Sequence, residues 1–504
     1  MRTTCCRAIL IFCFVSCQDS AEPRASYDIN ANFEWGTATA AFQVEGGNTH
    51  TDWYQWEASC SETNETVAHC ESNLDGPNHW ELYAEDIALA KAMGHTALRM
   101  GLEWGKIEPT QGEYDETVLA HYHAVMDEVL SHDMTLLVTL QHFTLPIWVN
   151  NILVPEAGLG GWPGAASDAL GESPIIEAFE GFARKMAEEF GSKVDLWITI
   201  NEPLVPLVGG YLAGVFPPGK SLQIETLLRG AFNMVWAHRR AYDMLHAHDQ
   251  GDVDGDGQNA LVSVAKHWRI FDPANPESTG SIESALRLEY LYNDVFMRAI
   301  WKGELDLNAD GDIDDANEGK HSELVGGLDW VGVNYYGRFM VQDSLLRVCD
   351  DMPCAEDEGV EVPILFEENP DATHTNDLGW EIYPGGLVRV LDKVKKYDLP
   401  MRITENGIAD ADDDLRPQFI VAHVQAMQEA MQKGADIRGY YHWTLVDNFE
   451  WAEGYEPRFG LLKVDYDDAA RTRTKTRGAD ALTALIEAQG VTPGIVEEFG
   501  TFAF

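Results

Sequence analysis

Eight short apolar segments, separated by stretches whose apolar residues recur at helical spacing, constrain this chain more than any other feature. The segments are Trp35–Phe42, Thr96–Leu102, Thr135–Leu140, Leu196–Ile200, Leu261–Ala265, Trp330–Val333, Met401–Thr404 and Gly439–Trp443. Among the stretches between them are Trp80–Met93, Glu177–Phe190 and Gln418–Gln432. Strands that alternate with helices predict a parallel sheet, because parallel neighbours need a crossover long enough to hold a helix. Eight units is the number that closes a barrel. The sequence therefore predicts an α/β chain with a single (β/α)8 barrel and loop insertions over residues 28–490, then a C-terminal tail at 491–504.

The polar residues at the ends of these segments follow one pattern. Seven of the eight predicted strands carry a polar or aromatic residue at or just past the C-terminal end: Gln43, Glu103, His142, Asn201 with Glu202, Asn334 with Tyr336, Glu405 with Asn406, and Trp443. In a parallel barrel those ends converge on one mouth, where active sites form. One such residue alone reads as packing, whereas seven in agreement read as a site. Two are glutamates in demanding surroundings, T-I-N-E-P at Glu202 and I-T-E-N-G at Glu405. Paired carboxylates across a mouth suit cleavage of a glycosidic bond. One stays protonated to serve the leaving oxygen; the other, ionised, attacks carbon or activates water. Arg99, in L-R-M-G-L-E-W, is the cation placed to keep Glu405 charged. Gln43, His142, Asn201 and Glu450 can bond vicinal hydroxyls, and Trp443 and Trp451 offer flat apolar faces to a sugar ring. Two surface glutamates and a handful of core aromatics are the plainer alternative.

Acidic residues number 83 against 35 Lys and Arg, a formal net charge of −48. No basic stripe survives that balance, which argues against binding nucleic acid through its phosphates. Residues 1–20 read as a targeting segment: Arg2 and Arg7 flank the apolar run Ala8–Val15, too short to cross a bilayer. The run ends in F-V-S-C, similar to the lipobox of bacterial lipoproteins with Phe14 where Leu is usual. Cys17 is then expected to carry lipid and to become the mature N-terminus, with an ordinary cleaved signal as the alternative. Either way the chain is expected to be exported, as a membrane-anchored lipoprotein or as a periplasmic or extracellular protein of a bacterium. Outside the leader the cysteines form two close pairs, Cys60 with Cys70 and Cys349 with Cys354, which an exported chain would use as short-loop disulfides. Zinc is a poor competitor, since neither pair has knuckle spacing and only His69 is near either.

Two acidic stretches read D-x-[DN]-x-D-G, the opening of a calcium loop. Asp252, Asp254 and Asp256 would be ligands in the first, and Asp306, Asn308, Asp310 and Asp312 in the second. Neither has Glu at the twelfth position, where Ser263 and Asn317 stand. The second is the better match, with Ile313 at the apolar position and Glu318 adjacent. Solvated acidic loops in an acidic protein are the alternative to structural calcium.

In order, the motifs F-E-W-G-T-A-T-A-A-F-Q-V-E-G, R-M-G-L-E-W, Q-H-F-T-L-P, T-I-N-E-P, V-G-V-N-Y-Y, I-T-E-N-G, Y-H-W-T-L-V-D-N-F-E-W and G-Y-E-P-R-F-G-L-L-K-V-D-Y resemble glycoside hydrolase family 1, the β-glucosidase and β-galactosidase family. The resemblance runs from about Phe33 to Ile486. It implies a TIM barrel and a retaining double displacement that needs no metal or organic cofactor. By motif position, Glu202 would be the general acid/base and Glu405 the nucleophile, with carboxyl groups about 5–5.5 Å apart. Gln43, His142, Asn201, Trp443, Glu450 and Trp451 would line the glycone site. Tyr336 would hydrogen-bond the nucleophile, and Asn334 and Arg99 would support the pair.

Two branches of the family are argued down by single residues. Thioglucosidases carry Gln where Glu202 stands; phospho-glycosidases replace Trp451 and would meet the charges of Glu453 and Glu456. A neutral β-glycoside or oligosaccharide is the expected substrate, with glucoside, galactoside and fucoside all open. Q-H-F-T-L-P departs from the commoner H-W-D-L-P, which puts the aglycone preference in question. The rival readings are a transglycosylase of the same mechanism and an inactive barrel that binds carbohydrate or calcium at a surface.

Overall fold

The computed structural model describes residues 29, 32–165, 169, 171–253, 255, 257–313, 318–349 and 360–502. The leader with Cys17, the carboxylates Asp254 and Asp256, and also Asn317 and Cys354 lie outside the described residues.

Eight parallel strands close on themselves. They are β1 (Glu34–Ala38), β2 (Ala97–Gly101), β3 (Thr135–Gln141), β4 (Leu196–Asn201), β5 (Leu261–Pro273), β6 (Val331–Val341), β7 (Met401–Asn406) and β8 (Ile437–Trp443). Each pairs with the next, and β8 pairs with β1 from Glu34↔Gly439 to Ala38↔Trp443, so the barrel has no free edge. Helices such as His79–Ala92, Pro174–Phe190 and Arg416–Gln432 join them on the outside. The fold is the closed (β/α)8 barrel that the sequence predicts. Strands covered on both faces need continuous apolar runs, and β4 is buried at every position. The helix Pro174–Phe190 starts with proline in its first turn, where no backbone donor is lost. It buries Phe179, Phe182, Ala183, Met186 and Phe190 on one face.

Three departures from the predicted elements matter. β1 stops at Ala38, and the run continues as a short helix, Ala41–Glu45, so Gln43 sits a turn beyond the strand end. A short apolar run cannot by itself distinguish strand from helix, and this one is rich in alanine. β5 and β6 run far past the predicted Ala265 and Val333, staying paired to Pro273↔Val341. There the helix Thr279–Glu289 and the added strand Phe366–Glu367 cover residues whose mixed polarity hides them in the sequence. Past residue 490, the helix Pro493–Phe499 buries Ile495 and Phe499, with Phe502 beyond it.

Cys60 and Cys70 form a disulfide, with Cα atoms 5.4 Å apart. Cys349 is buried and disulfide-bonded. In the second acidic loop the side chains serve the loop's own backbone. Asp306 accepts from Asp310 N–H at 3.0 Å and Gly311 N–H at 2.8 Å, and its carboxylate is bonded by the Tyr290 hydroxyl. Asn308 accepts from Asp310 N–H and Asp310 accepts from Asp312 N–H, each at 2.9 Å. In the first loop Asp252 accepts from Gly257 N–H at 3.1 Å. Among the described residues no group of three or more His, Cys, Asp or Glu side chains is placed so that it could hold a metal ion. No helix among them is long and apolar enough to cross a membrane.

Candidate active site

The site is organised around Arg99, which β2 points into the barrel with no exposed surface. A buried guanidinium needs charge and hydrogen-bond partners on every side. Its Nε donates to Thr139 on β3 at 3.0 Å and one terminal nitrogen donates to Asn201 on β4 at 2.7 Å. The other terminal nitrogen reaches β7, at 3.1 Å from the Thr404 carbonyl and 2.6 Å from Glu405 Oε1. The second oxygen of Glu405 accepts from the Tyr336 hydroxyl at 2.7 Å. Gly407 follows in E-N-G because a Cβ there would overlap the Trp443 carbonyl; only glycine lets β7 and β8 meet so closely.

Glu202 stands just past β4 in a left-handed conformation, φ 45°, rare for a residue with a side chain. Its N–H donates to the Ala265 carbonyl of β5 at 2.7 Å and Pro203 follows directly. Its carboxyl receives one side-chain hydrogen bond, from Asn334 at 2.7 Å, and the same amide lies 3.2 Å from Asn201 Oδ1. Burial, then the charge of Glu405, pushes Glu202 up to about 8. Burial also raises Glu405, but Arg99, Tyr336 and Asn334 oppose it. Two carboxyls of the same chemistry thus meet different company. Glu405 is gripped by a cation and a phenol, whereas Glu202 holds an amide and a like charge.

The residues that the motifs assign to a sugar form two further groups. Asn201 has its oxygen committed to Arg99 and Asn334, so its Nδ2 must donate, and it meets His142 Nε2 at 3.0 Å. Burial and the nearby Arg99 hold His142 far below its usual titration range, so the ring is neutral. With Nε2 accepting, the ring proton sits on Nδ1, and Nδ1 is a buried atom with no partner. Gln43 spends its amide nitrogen on Asn448, the Phe449 carbonyl and Glu450 at 3.2, 2.9 and 3.3 Å. Its buried oxygen has no partner. Burial and the charges of Glu405 and Glu453 push Glu450 up to about 8. An unspent donor at His142 and an unspent acceptor at Gln43 are what a pair of hydroxyls would use, since buried polar atoms are costly when unpaired.

Aromatic rings complete the wall. Trp443, buried inside the barrel, lies 5.9 Å from the His142 ring. Trp451 lies at the same distance on another side, stacked on Phe42 at 5.7 Å and packed against Trp53 and Phe143.

The residues named from the sequence for catalysis and sugar binding meet in these contacts, whereas the described calcium candidates Asp252, Asp306, Asn308, Asp310 and Asp312 lie in separate loops. Two other strand-end residues do not join those contacts. Glu103 turns aside to cap the helix Trp104–Ile107 and to accept from Thr144 at 3.0 Å. Asn406 bonds the Tyr335 carbonyl at 2.8 Å and the Tyr440 hydroxyl at 3.0 Å. Conversely, the residue order does not mark His267 on β5, whose ring lies 5.8 Å from that of Tyr336. The fifth strand is the one without a marked polar end, and the Lys-His pair directly after its apolar run is the available signal.

This geometry agrees with what the chain is similar to. The sequence model of glycosyl hydrolase family 1 matches residues 26–491. A β-galactosidase of Pyrococcus woesei is 31% identical over 92% of this chain and 98% of its own length. β-Glucosidase A of Thermotoga maritima is 30% identical over 87% of this chain and 94% of its own. Among solved structures, a β-glycosidase from Pyrococcus horikoshii superposes with a TM-score of 0.77 at 29% identity, covering 94% of this chain and 98% of that one. A barrel with two unlike carboxyls at its mouth, matched over nearly its whole length by such relatives, belongs to glycosyl hydrolase family 1 and is an O-glycosyl hydrolase of the β-glucosidase type.

Proposed function

We propose that the protein hydrolyses terminal non-reducing β-D-glycosyl residues of neutral glycosides, β-glucosides foremost, by a retaining double displacement. The observation that carries this is the unequal company of the two carboxyls. Glu405, held by Arg99 and Tyr336, is the ionised partner; Glu202, raised to about 8, still holds its proton near neutral pH. In the first step a Glu405 oxygen attacks the anomeric carbon and the glycosidic C–O bond breaks. Glu202 gives its proton to the departing oxygen. In the second step Glu202 takes a proton from water, the water oxygen bonds to the anomeric carbon, and the ester to Glu405 breaks. Gln43, His142, Glu450, Trp443 and Trp451 hold the sugar, and Asn201 aligns His142. A relative named β-galactosidase and others named β-glucosidase support a pocket tolerant at the hydroxyl that separates these sugars.

The test is p-nitrophenol release from β-glucoside, β-galactoside and β-fucoside, by the wild type and by Glu405→Gly with and without azide. Wild-type turnover, a silent variant and azide rescue yielding an α-glycosyl azide are expected. Turnover that survives in Glu405→Gly without azide would overturn the assignment of the nucleophile. Product analysis at high acceptor concentration separates hydrolysis from transglycosylation.

We also propose that the protein works outside the cytoplasm as a lipoprotein anchored through Cys17. The leader pattern supports this, as does the Cys60–Cys70 disulfide, a bond that persists in oxidising compartments. Mass spectrometry of the native N-terminus should find a lipid-modified Cys17; an unmodified residue elsewhere would overturn the proposal.

A further inference from the structure

Glu450 and Trp451, which the proposed function assigns to the sugar, stand on one tight turn of residues 450–455. Glu450 N–H donates to the Gly454 carbonyl at 2.7 Å, and Glu453 N–H donates to the Glu450 carbonyl at 2.9 Å. Inside that turn Trp451 takes a left-handed conformation, φ 52°, which costs free energy for a residue of its bulk. Such a conformation persists only where the surroundings impose it. On the pocket side Gln43 restrains the turn weakly, with its Nε2 3.3 Å from Glu450.

The firmer restraint comes from behind, from residues 67–72. Glu71 Oε2 accepts from Tyr455 N–H at 2.6 Å, and the Tyr455 hydroxyl donates to the Ser72 carbonyl at 2.9 Å. A backbone N–H given to a carboxylate makes a bond roughly twice as strong as one between neutral groups. The carboxylate lies so close that a Cβ on Gly454 would overlap it. Val67 is buried in the same apolar cluster as Trp451, Phe42 and Trp53. His69 and Glu456 also meet, at 3.3 Å, but both are exposed and such a pair contributes little.

Residues 67–72 are themselves anchored. The Cys60–Cys70 disulfide closes their loop. Across its neck the Trp56 indole N–H donates to the Thr66 carbonyl at 3.1 Å, and the Thr66 hydroxyl donates to the Trp56 carbonyl at 2.9 Å. Glu57, on the helix Asp52–Ala58, accepts from the Ser72 hydroxyl at 2.8 Å and from Asn73 N–H at 2.9 Å. The Asn73 amide then donates to the Phe42 carbonyl, one residue before Gln43. The stapled loop and the residues after it thus touch both the helix that carries Gln43 and the turn that carries Glu450.

We propose that Glu71 is a positioning residue: its carboxylate holds the turn that presents Glu450 and Trp451, and so sets the affinity for the sugar. This rests on Glu450 and Trp451 being sugar-binding residues. Without the bond from Tyr455 N–H, Trp451 is free to relax toward an ordinary φ and carries Glu450 away from Gln43. Glu405 and Glu202 are held elsewhere, by Arg99, Tyr336 and Asn334, so the chemical step is largely spared.

The test measures kcat and KM on p-nitrophenyl β-glucoside and the Kd of deoxynojirimycin, a mimic of the sugar. Wild type is compared with Glu71→Ala, Glu71→Gln, Glu450→Ala and the double variant Glu71→Ala with Glu450→Ala. Glu71→Ala is expected to raise KM and Kd about tenfold, the scale of one hydrogen bond to a charged group, and to lower kcat by less than about threefold. Glu71→Gln keeps an oxygen for Tyr455 N–H and should recover most of the loss. In the Glu450→Ala background Glu71→Ala should add less than about threefold, because the two act on one contact. An unchanged KM and Kd in a folded Glu71→Ala, a loss confined to kcat, or a full tenfold loss that persists in the Glu450→Ala background would overturn the proposal. Should Glu71→Ala fail to fold, Glu71→Asp decides. It keeps the charge but falls a methylene short of Tyr455, and binding as tight as the wild type there sinks the idea. Glu450→Ala keeps the two readings apart. If it binds the mimic as the wild type does, the assignment of Glu450 to the sugar is what fails; if it binds weakly and Glu71→Ala binds normally, only the role of Glu71 fails.

Discussion

Two groups of identical make-up, one Arg, one Glu and one Tyr, occupy opposite ends of this barrel. At the strand starts, Glu34 of β1 accepts from Arg402 of β7 through Nε and a terminal nitrogen, at 2.8 and 2.7 Å, and from the Tyr441 hydroxyl at 2.7 Å. At the mouth, Glu405 accepts from Arg99 at 2.6 Å and from Tyr336 at 2.7 Å. The distances hardly differ, so hydrogen-bond length does not separate a structural cluster from a catalytic one. What separates them is how the arginine is shared and what else is near. Arg402 gives its side-chain bonds to one carboxylate. Arg99 divides its bonds among Thr139, Asn201, the Thr404 carbonyl and Glu405. At the mouth a second carboxyl, Glu202, stands close enough to be raised by the charge of Glu405. The mouth also holds unspent polar atoms, at Gln43 and His142. A buried ion pair that satisfies itself holds strands together; one that is shared, crowded by a second carboxyl and bordered by unpaired groups is equipped for chemistry.

The largest expected contrast comes from removing each carboxylate in turn. Glu405→Gln should cost about 10⁴-fold or more in kcat, the scale of losing a nucleophile. Glu34→Gln should leave kcat within a small factor while costing about 3 kcal/mol by stranding Arg402, read from its urea midpoint. Equal losses of activity in both would break the comparison. A smaller effect is expected at the phenols. Tyr336→Phe removes a hydrogen bond to a charged group and should lower kcat/KM about 10- to 100-fold, whereas Tyr441→Phe should lower only the melting temperature.

The smallest effect is a change of pH profile. In the proposed mechanism Glu202 is protonated for the first step, and its surroundings push it up to about 8, so kcat/KM should fall as pH rises through about 8. With an activated leaving group Glu202→Gln should keep part of its rate and lose that fall. An alkaline limb that persists in Glu202→Gln would assign it to another group, with Glu450, also raised to about 8, the first to test.

Much of this was legible in the residue order. β2, β3, β4, β7 and β8 lie where short, mainly apolar runs predict them, because strands covered on both faces are mostly apolar and admit polar residues only where partners meet them. The extensions of β5 and β6 were not legible, since K-H-W-R-I-F-D-P has no pure period of either kind. Nor was the helix that carries Gln43, whose apolar run suits strand and helix alike. Glu103 shows the limit of reading a site from strand ends. It is as close to the mouth in sequence as Glu202, yet its carboxylate turns back to cap a helix.

The sequence by itself determined the architecture, the ring of polar strand ends and the two glutamates, because periodicity and motif spacing are properties of the chain. The tertiary structure alone decided how charge is distributed among them. Arg99 lies 306 residues before Glu405, and Asn334 lies 132 residues after Glu202. That Arg99 serves Glu405 depends on barrel closure, since Coulomb forces in a buried setting act over a few ångströms and not along the chain.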